Sequence, residues 1–298
     1  MPIRHQFKQI SKIILEKIFI PYYREKTTIF LCGAHKSEKN KGRYKLSKLL
    51  NQHGAFELVY PEDIFEDVLE GQANSLLWLE NTLAASVDAI VIIPESPGSF
   101  AELGAFSVNE KLVNKIICIA EKCFSNKKSF LRYGPFRLVN SSTTGRVIYE
   151  KYDSFSEKEN GKKIIKEISR RIESIKRVFP TEKNTTNILE LKNFLLPAIY
   201  LMNNLTISDL YELVLNTTSE QRKYVEIATK SAITQLTKLN WIEKESNTYK
   251  VSKEGHMHIQ NNFNIAIMDK VRIEIMNIEN RRNSVFIYDR VQTRTFSE

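Results

Sequence analysis

The chain has 298 residues, 42% apolar and 27% charged, enough for two ordinary domains and unlike a disordered or fibrous protein. Its net charge of +9 is uneven: between Leu49 and Glu110 there are about eleven carboxylates and no lysine or arginine, so the remainder carries about +20. That polarisation suits chemistry in one place and polyanion binding in another, or simply solvated helices of opposite sign. Lys8, Lys12 and Lys17 interrupt the N-terminal stretch, which excludes a signal-peptide core or a membrane span, and a cytoplasmic protein with no membrane contact is expected. Cys32, Cys118 and Cys123 lack metal-ligand spacing and are read as reduced and structural; no metal site is expected.

In chain order, β-branched and aromatic runs predict strands over 26–33, 56–63, 86–95, 114–121 and 145–153. Helical spacing falls between them: "RYKLSKLLNQHG" ends at Gly54, and "SLLWLENTLAAS" starts at Ser75 and places Trp78 with a leucine cluster in the core. Strands alternating with helices predict an α/β fold with a Rossmann-like parallel sheet, whose ligands bind beyond the carboxyl ends of the strands.

The stretch "PESPGSFAELGAFS" leaves such a strand end through a Gly98-Ser99 turn and places Glu102 in the first turn of a helix. Acidic residues there are ordinary helix-start chemistry, and they are also candidate catalytic groups. The motifs G-x-G-x-x-G and G-x-x-x-x-G-K-[ST] are both absent, which argues against a standard dinucleotide oxidoreductase and a P-loop enzyme. Ser99 and the amides of the Gly98 turn are expected to hold a sugar or phosphate, and Gly33 to allow close backbone approach.

The basic helix over 157–179 ends at Pro180, and the polar run "TEKNTTN" follows, which predicts a domain boundary near residue 182, with domains over 1–181 and 182–298. Beyond it, "LTISDLYELV" offers Thr206 or Ser208 as a cap. A helix with Ile233, Leu236 and Leu239 on one face comes next, then the strands "WIEKES" and "TYKVS". Helix, helix, hairpin is a winged-helix order; Lys230, Thr234, Gln235, Lys238, Lys244 and Lys250 are its candidate nucleic-acid contacts, and a unit used only for protein contacts is the alternative. Arg272, Arg281, Arg282 and Arg290 suit phosphates or assembly contacts. His35, His256 and His258 are read as loop or helix residues, not metal ligands.

The run from Gly98 to Gly104 resembles the G-[ST]-x-x-E-[IL]-G element of nucleoside 2-deoxyribosyltransferases, which implies that Glu102 is the nucleophile at the anomeric carbon. In that family an acidic residue often stands eight positions before the Asp that opens the preceding strand, the spacing of Glu80 and Asp88. Both are therefore assigned to substrate binding together with Asp63. The "IFLCG" run is similar to that family's first-strand element, with Ala34 in place of its proline.

More narrowly, "FLCG", "YPED", "PESPGSFAELGAFS", "YGPFRL", "FLLPAIYL" and "RIEIMNIENRRNSVFIYD" resemble, in the same order, the blocks of the effector of type II bacterial retrons, which defend against phage. The resemblance implies an N-terminal N-glycosidase-type domain and a C-terminal winged helix. Its implied partners are a reverse transcriptase and a branched RNA-linked DNA (msDNA) with its RNA, in a higher-order oligomer. It also implies a toxic activity released on infection, the cleavage of NAD+, with NAD+ as substrate and no cofactor. Departure of neutral nicotinamide needs no proton, whereas a neutral base would require an acid such as Asp63 or Glu80. A deoxyribosyl- or ADP-ribosyltransferase and a non-catalytic DNA-binding regulator are the alternatives.

Overall fold

The computed structural model describes residues 2–22, 26–60, 76–126, 128–202 and 204–295, with backbone alone at 2–5, 76–80 and 281–295. Contacts divide the chain into two units, Arg24–Glu182 and Met1–Tyr23 joined with Lys183–Glu298. The opening helix α1 (Pro2–Ile14) belongs to the second.

The first unit is built on five parallel strands, β1 (Thr27–Cys32), β2 (Phe56–Val59), β3 (Ala89–Ile92), β4 (Ile116–Glu121) and β5 (Arg146–Glu150), in the order β2-β1-β3-β4-β5. Each predicted strand forms, trimmed at its ends. Helix α2 (Gly42–His53) links β1 to β2 and stops where Gly54 turns left-handed at φ 78°. Helix α3 (Leu76–Ser86) precedes β3, α4 (Pro97–Ser107) follows it, α5 (Phe130–Tyr133) and α6 (Pro135–Ser141) lie between β4 and β5, and α7 (Lys158–Val178) closes the unit. Ile29, Leu31, Val91, Ile117 and Ile119 of one sheet face pack against Leu46 and Leu50 of α2 and Ile164, Ile168, Ile172 and Ile175 of α7. The alternate face turns Phe30 to Phe106 of α4, ring centroids 6.0 Å apart. Burial on both faces explains why β1, β3 and β4 read as continuous apolar runs.

In this strand order the chain leaves β1 towards β2 on one side and continues from β3 to β4 and β5 on the other. The loops after β1 and β3 therefore diverge and open a crevice at the carboxyl edge.

In the second unit, α8 (Leu191–Leu201) is apolar all round and buried, with Leu191, Phe194, Leu195, Leu196 and Ala198 in the core. It is the partner that the Ile10, Ile14, Ile18 and Phe19 seam of α1 and its following π-helical turn requires; Phe19 meets Phe194 edge-on at 6.0 Å. By contacts, residues 1–23 thus group with Lys183–Glu298 and not with the sheet, and the other division falls after Glu182.

The rest of this unit runs β6 (Leu205–Thr206), α9 (Ile207–Leu215), α10 (Arg222–Lys238), β7 (Ile242–Glu245), β8 (Thr248–Val251), α11 (Lys253–Asn262) and α12 (Ile265–Thr295). Thr206 caps α9 reciprocally with Asp209, and β6-β8-β7 form a small antiparallel sheet. Leu239, expected on the apolar face of α10, instead ends that helix 44% exposed. Among the described residues no helix is long and apolar enough to cross a membrane.

Candidate active site

Two loops meet at the carboxyl edge of β1 and β3 and are tied together. The Ser96 hydroxyl donates to the Gly33 carbonyl at 3.1 Å, and the Ile93 amide donates to the Cys32 carbonyl at 3.0 Å. The Glu95 carboxylate completes the seam: one oxygen accepts from the Ala34 and Arg43 amides (3.3 and 2.8 Å), the other from the Gly42 amide (2.7 Å). Lys41, the N-cap position of α2, makes no side-chain cap of its own. Glu95 supplies that cap from another loop, and its charge lies where the helix dipole and exposed N–H groups favour an anion.

Arg43 is the other group that sequence reading missed. It is buried, its guanidinium donates to the Ala34 carbonyl at 2.9 Å, and it lies 4.8 Å from the Tyr60 ring at the end of β2. A Cβ on Gly33 would stand 2.6 Å from the Arg43 Cβ, so the close approach this glycine allows in the described structure is that of α2. Gly42 has a comparable role, since its Cβ would meet the Tyr152 ring at 2.9 Å. Burial, reinforced by Cys118 and Glu95, holds the Tyr152 phenol well above its ordinary range, and its hydroxyl donates to the Ile119 carbonyl.

Helix α4 starts differently from the sequence expectation. Ser96 is its N-cap, with Pro97 at the first position, and Ser96 and Ser99 cap reciprocally. The buried Ser99 hydroxyl accepts from the Glu95 and Ser96 amides (3.0 and 2.9 Å) and donates to the Ser96 carbonyl (2.8 Å). It is committed to the cap, not held out for a sugar or phosphate. Glu102 is therefore one turn deeper than expected, and no carboxylate occupies the first turn. The ordinary helix-start explanation for Glu102 falls away with this finding.

Glu102 is half-buried and follows Gly98 by four residues, hence on the same side of α4. Helical side chains lean towards the N-terminus, so Glu102 shares with Gly98 the side of α4 that runs back to its capped end. Gly98 has no positive φ, and a Cβ there would meet none of the described residues within 4 Å. Among the described residues, neither backbone conformation nor packing requires a glycine at this position.

The remaining candidates separate. Asp88 precedes β3, at the amino end of the parallel strands and so at the opposite edge of the sheet from Glu102. It is buried there, accepting from the Thr28 amide at 2.8 Å and neighbouring Lys115, which burial pulls below its ordinary pKa against the opposing effect of Asp88. Its role is structural, a correction to its assignment to substrate. Asp63 lies outside the described residues, and for Glu80 only the helical backbone of α3 is described. No cluster of three or more His, Cys, Asp or Glu able to hold a metal occurs among the described residues.

In the second unit Lys230 and Lys238 are exposed on α10 and Lys244 on β7, while Thr234 is half-buried. Gln235 is also half-buried, and its amide donates to the Ile188 carbonyl at 3.4 Å and the Ser231 hydroxyl at 3.3 Å, so it serves packing. Lys244 pairs in register with Tyr249, and Lys250 with Glu243, which puts the two lysines on opposite faces of the hairpin. Lys250 also pairs with Glu245. One flat contact surface does not hold all six residues.

A family model described as STM3845 retron effector protein matches residues 39–244. The chain is 36% identical over 294 residues, 96% of each chain, to the "Retron Ec86 putative ribosyltransferase/DNA-binding protein" of Escherichia coli. It is 33% identical over 136 residues, 42% of each chain, to the "Retron Ec73 putative ribosyltransferase/DNA-binding protein" of the same organism. The matched span runs from the loop that Glu95 holds, through α4 and Glu102, to the hairpin strand β7, and on these grounds the chain belongs to the STM3845 family of retron effectors.

Proposed function

We propose that the chain is a toxic N-glycosidase of a retron anti-phage system, that its substrate is NAD+, and that Glu102 is the catalytic carboxylate. The observation that carries this reading is the half-buried Glu102 beyond the first turn of α4, on the side of Gly98, with the cap of that helix already completed by Ser96 and Ser99. Breaking the C1′–N bond builds oxocarbenium character on the ribose, and a carboxylate beneath that carbon stabilises it or attacks it. The bonding pair leaves with nicotinamide, which departs neutral and needs no proton. Water then supplies the hydroxyl at C1′ and releases one proton, giving ADP-ribose. The relatives' ribosyltransferase names favour a second reading, in which another acceptor replaces water.

The second unit is read as a winged helix, on the strength of its order α9, α10, β7, β8. Lys230 and Lys238 on α10 and Lys244 on the hairpin are its proposed contacts to branched RNA-linked DNA, in a complex with reverse transcriptase and in a higher-order oligomer. The relatives' DNA-binding names support this part. Chromatography of products from NAD+ and from a panel of deoxynucleosides, with the chain alone and with its reverse transcriptase and DNA, tests the substrate. Nicotinamide with ADP-ribose supports hydrolysis of NAD+; free base from deoxynucleosides, with NAD+ intact, overturns it.

A further inference from the structure

The second unit holds a cavity of about 490 Å³ that the reading above does not use, lined by residues that include Tyr200, Met202, Tyr249, Lys250, His256 and Arg272. Its volume is that of a small-ligand site, and no carboxylate is among the described residues that line it. Arg272 reaches it from α12: one terminal nitrogen donates to the Tyr200 carbonyl at 3.3 Å and the guanidinium lies 4.6 Å from the Tyr200 ring. Its Nε is buried with no hydrogen-bond partner among the described residues. A buried guanidinium N–H without an acceptor is costly unless a ligand supplies one.

The groups around Arg272 suit an anion attached to a flat, partly apolar body. His256 meets Tyr200 edge-on at 5.3 Å and gives its Nδ1 proton to the Ser252 carbonyl at 2.7 Å, which sets the ring's orientation. Lys250 stands at the exposed rim, its charge shared with Glu245 of the hairpin. Ile199 and Met202, both buried, give an apolar floor, and the Tyr249 ring adds an aromatic surface. Guanidinium with ammonium matches phosphate oxygens, and tyrosine with an apolar floor matches a base.

We propose that this cavity binds a nucleoside monophosphate unit, either as a free nucleotide or as the phosphorylated end of a single strand, independently of the chemistry at Glu102. Calorimetric titration of the full chain with deoxyadenosine monophosphate, deoxyadenosine, and a short oligodeoxyadenylate with and without its 5′-phosphate tests it. The monophosphate is expected to bind at least about ten-fold more tightly than the nucleoside, with about ten-fold loss in Arg272→Gln and none in Glu102→Gln. Lys250→Ser, at an exposed position, keeps the test valid if Arg272→Gln does not fold; it is expected to weaken the monophosphate several-fold and leave the nucleoside unchanged. Tighter binding of the phosphorylated oligonucleotide than of the mononucleotide identifies a strand end as the source, and equal binding identifies the free nucleotide. Equal affinity for nucleoside and nucleotide, no binding of either, or binding that the Arg272 and Lys250 variants leave unchanged overturns the proposal.

Discussion

Gly98 and Glu102 stand four residues apart on one side of α4, the helix that follows β3. A methyl group at Gly98 would touch none of the described residues within 4 Å, so packing among them does not require this glycine, and the proposed function gives it the role of keeping access to Glu102. Replacing it with valine is therefore expected to change stability by less than about 1 kcal/mol while lowering kcat/KM by about ten-fold or more. Urea denaturation beside glycosidase kinetics checks this. Equal losses of stability and activity would return Gly98 to a structural role.

Glu95 caps a helix from a neighbouring loop, and its removal should act on both fold and site. Glu95→Ala is expected to cost about 1–2 kcal/mol, the size of a lost cap with charge-assisted bonds, and to reduce turnover by loosening the loop over 33–41. Glu95→Gln, which keeps acceptor oxygen but not charge, should lie between parent and alanine variant. The midpoint of urea unfolding distinguishes these outcomes, and an alanine variant as stable as the parent contradicts the assignment.

The parallel sheet was legible because β1, β3 and β4 are buried on both faces and so carry uninterrupted apolar runs, and Gly54 marked the end of α2 unaided. The motif singles out Glu102 in the sequence, and its catalytic role is a proposal. Glu95 and Arg43 were not legible, because their partners lie on another loop or another strand end and only the folded sheet brings them together. Glycine after a strand and serine in a tight turn read as ligand contacts, and the sequence does not show that Gly33 also admits Arg43 or that Ser99 closes a helix cap. Asp88 was misplaced because spacing along the chain does not say which edge of the sheet a residue occupies. Helix α1 was assigned to its nearest neighbour in sequence, although its apolar seam needed α8, far along the chain.

His258 gives the second unit a pH dependence. It stacks on Trp241 at 3.6 Å, Asn262 donates to its Nδ1 at 3.2 Å, and its Nε2 is buried with no hydrogen-bond partner among the described residues. Burial, with Lys192 contributing, lowers its pKa from the ordinary 6.5. The unfolded chain thus binds more protons just below that value, so the stabilising contribution is complete above it and is lost as pH falls through the lowered folded-state value. Thermal melts between pH 7.5 and 5.5 should show a decrease that His258→Phe, which keeps the stack, diminishes. An identical decrease in both proteins would exclude His258 as its origin.

The proposed nucleic-acid surface predicts a salt effect. Replacing Lys230, Lys238 and Lys244 together by serine should weaken DNA binding and reduce the slope of log K against log salt by about 2–3, the loss of three phosphate contacts. Circular dichroism checks that the fold persists. An unchanged slope would place the DNA contact elsewhere.

The most direct test of Glu102 as the reacting carboxylate is the rate of nicotinamide release from NAD+ by the assembled wild-type complex and by the same complex carrying Glu102→Gln. The substitution keeps size and removes charge, so folding and complex formation should persist while the rate falls by at least about a thousand-fold, the scale of losing a catalytic carboxylate. A Glu102→Gln protein that still releases nicotinamide at the wild-type rate would contradict the account.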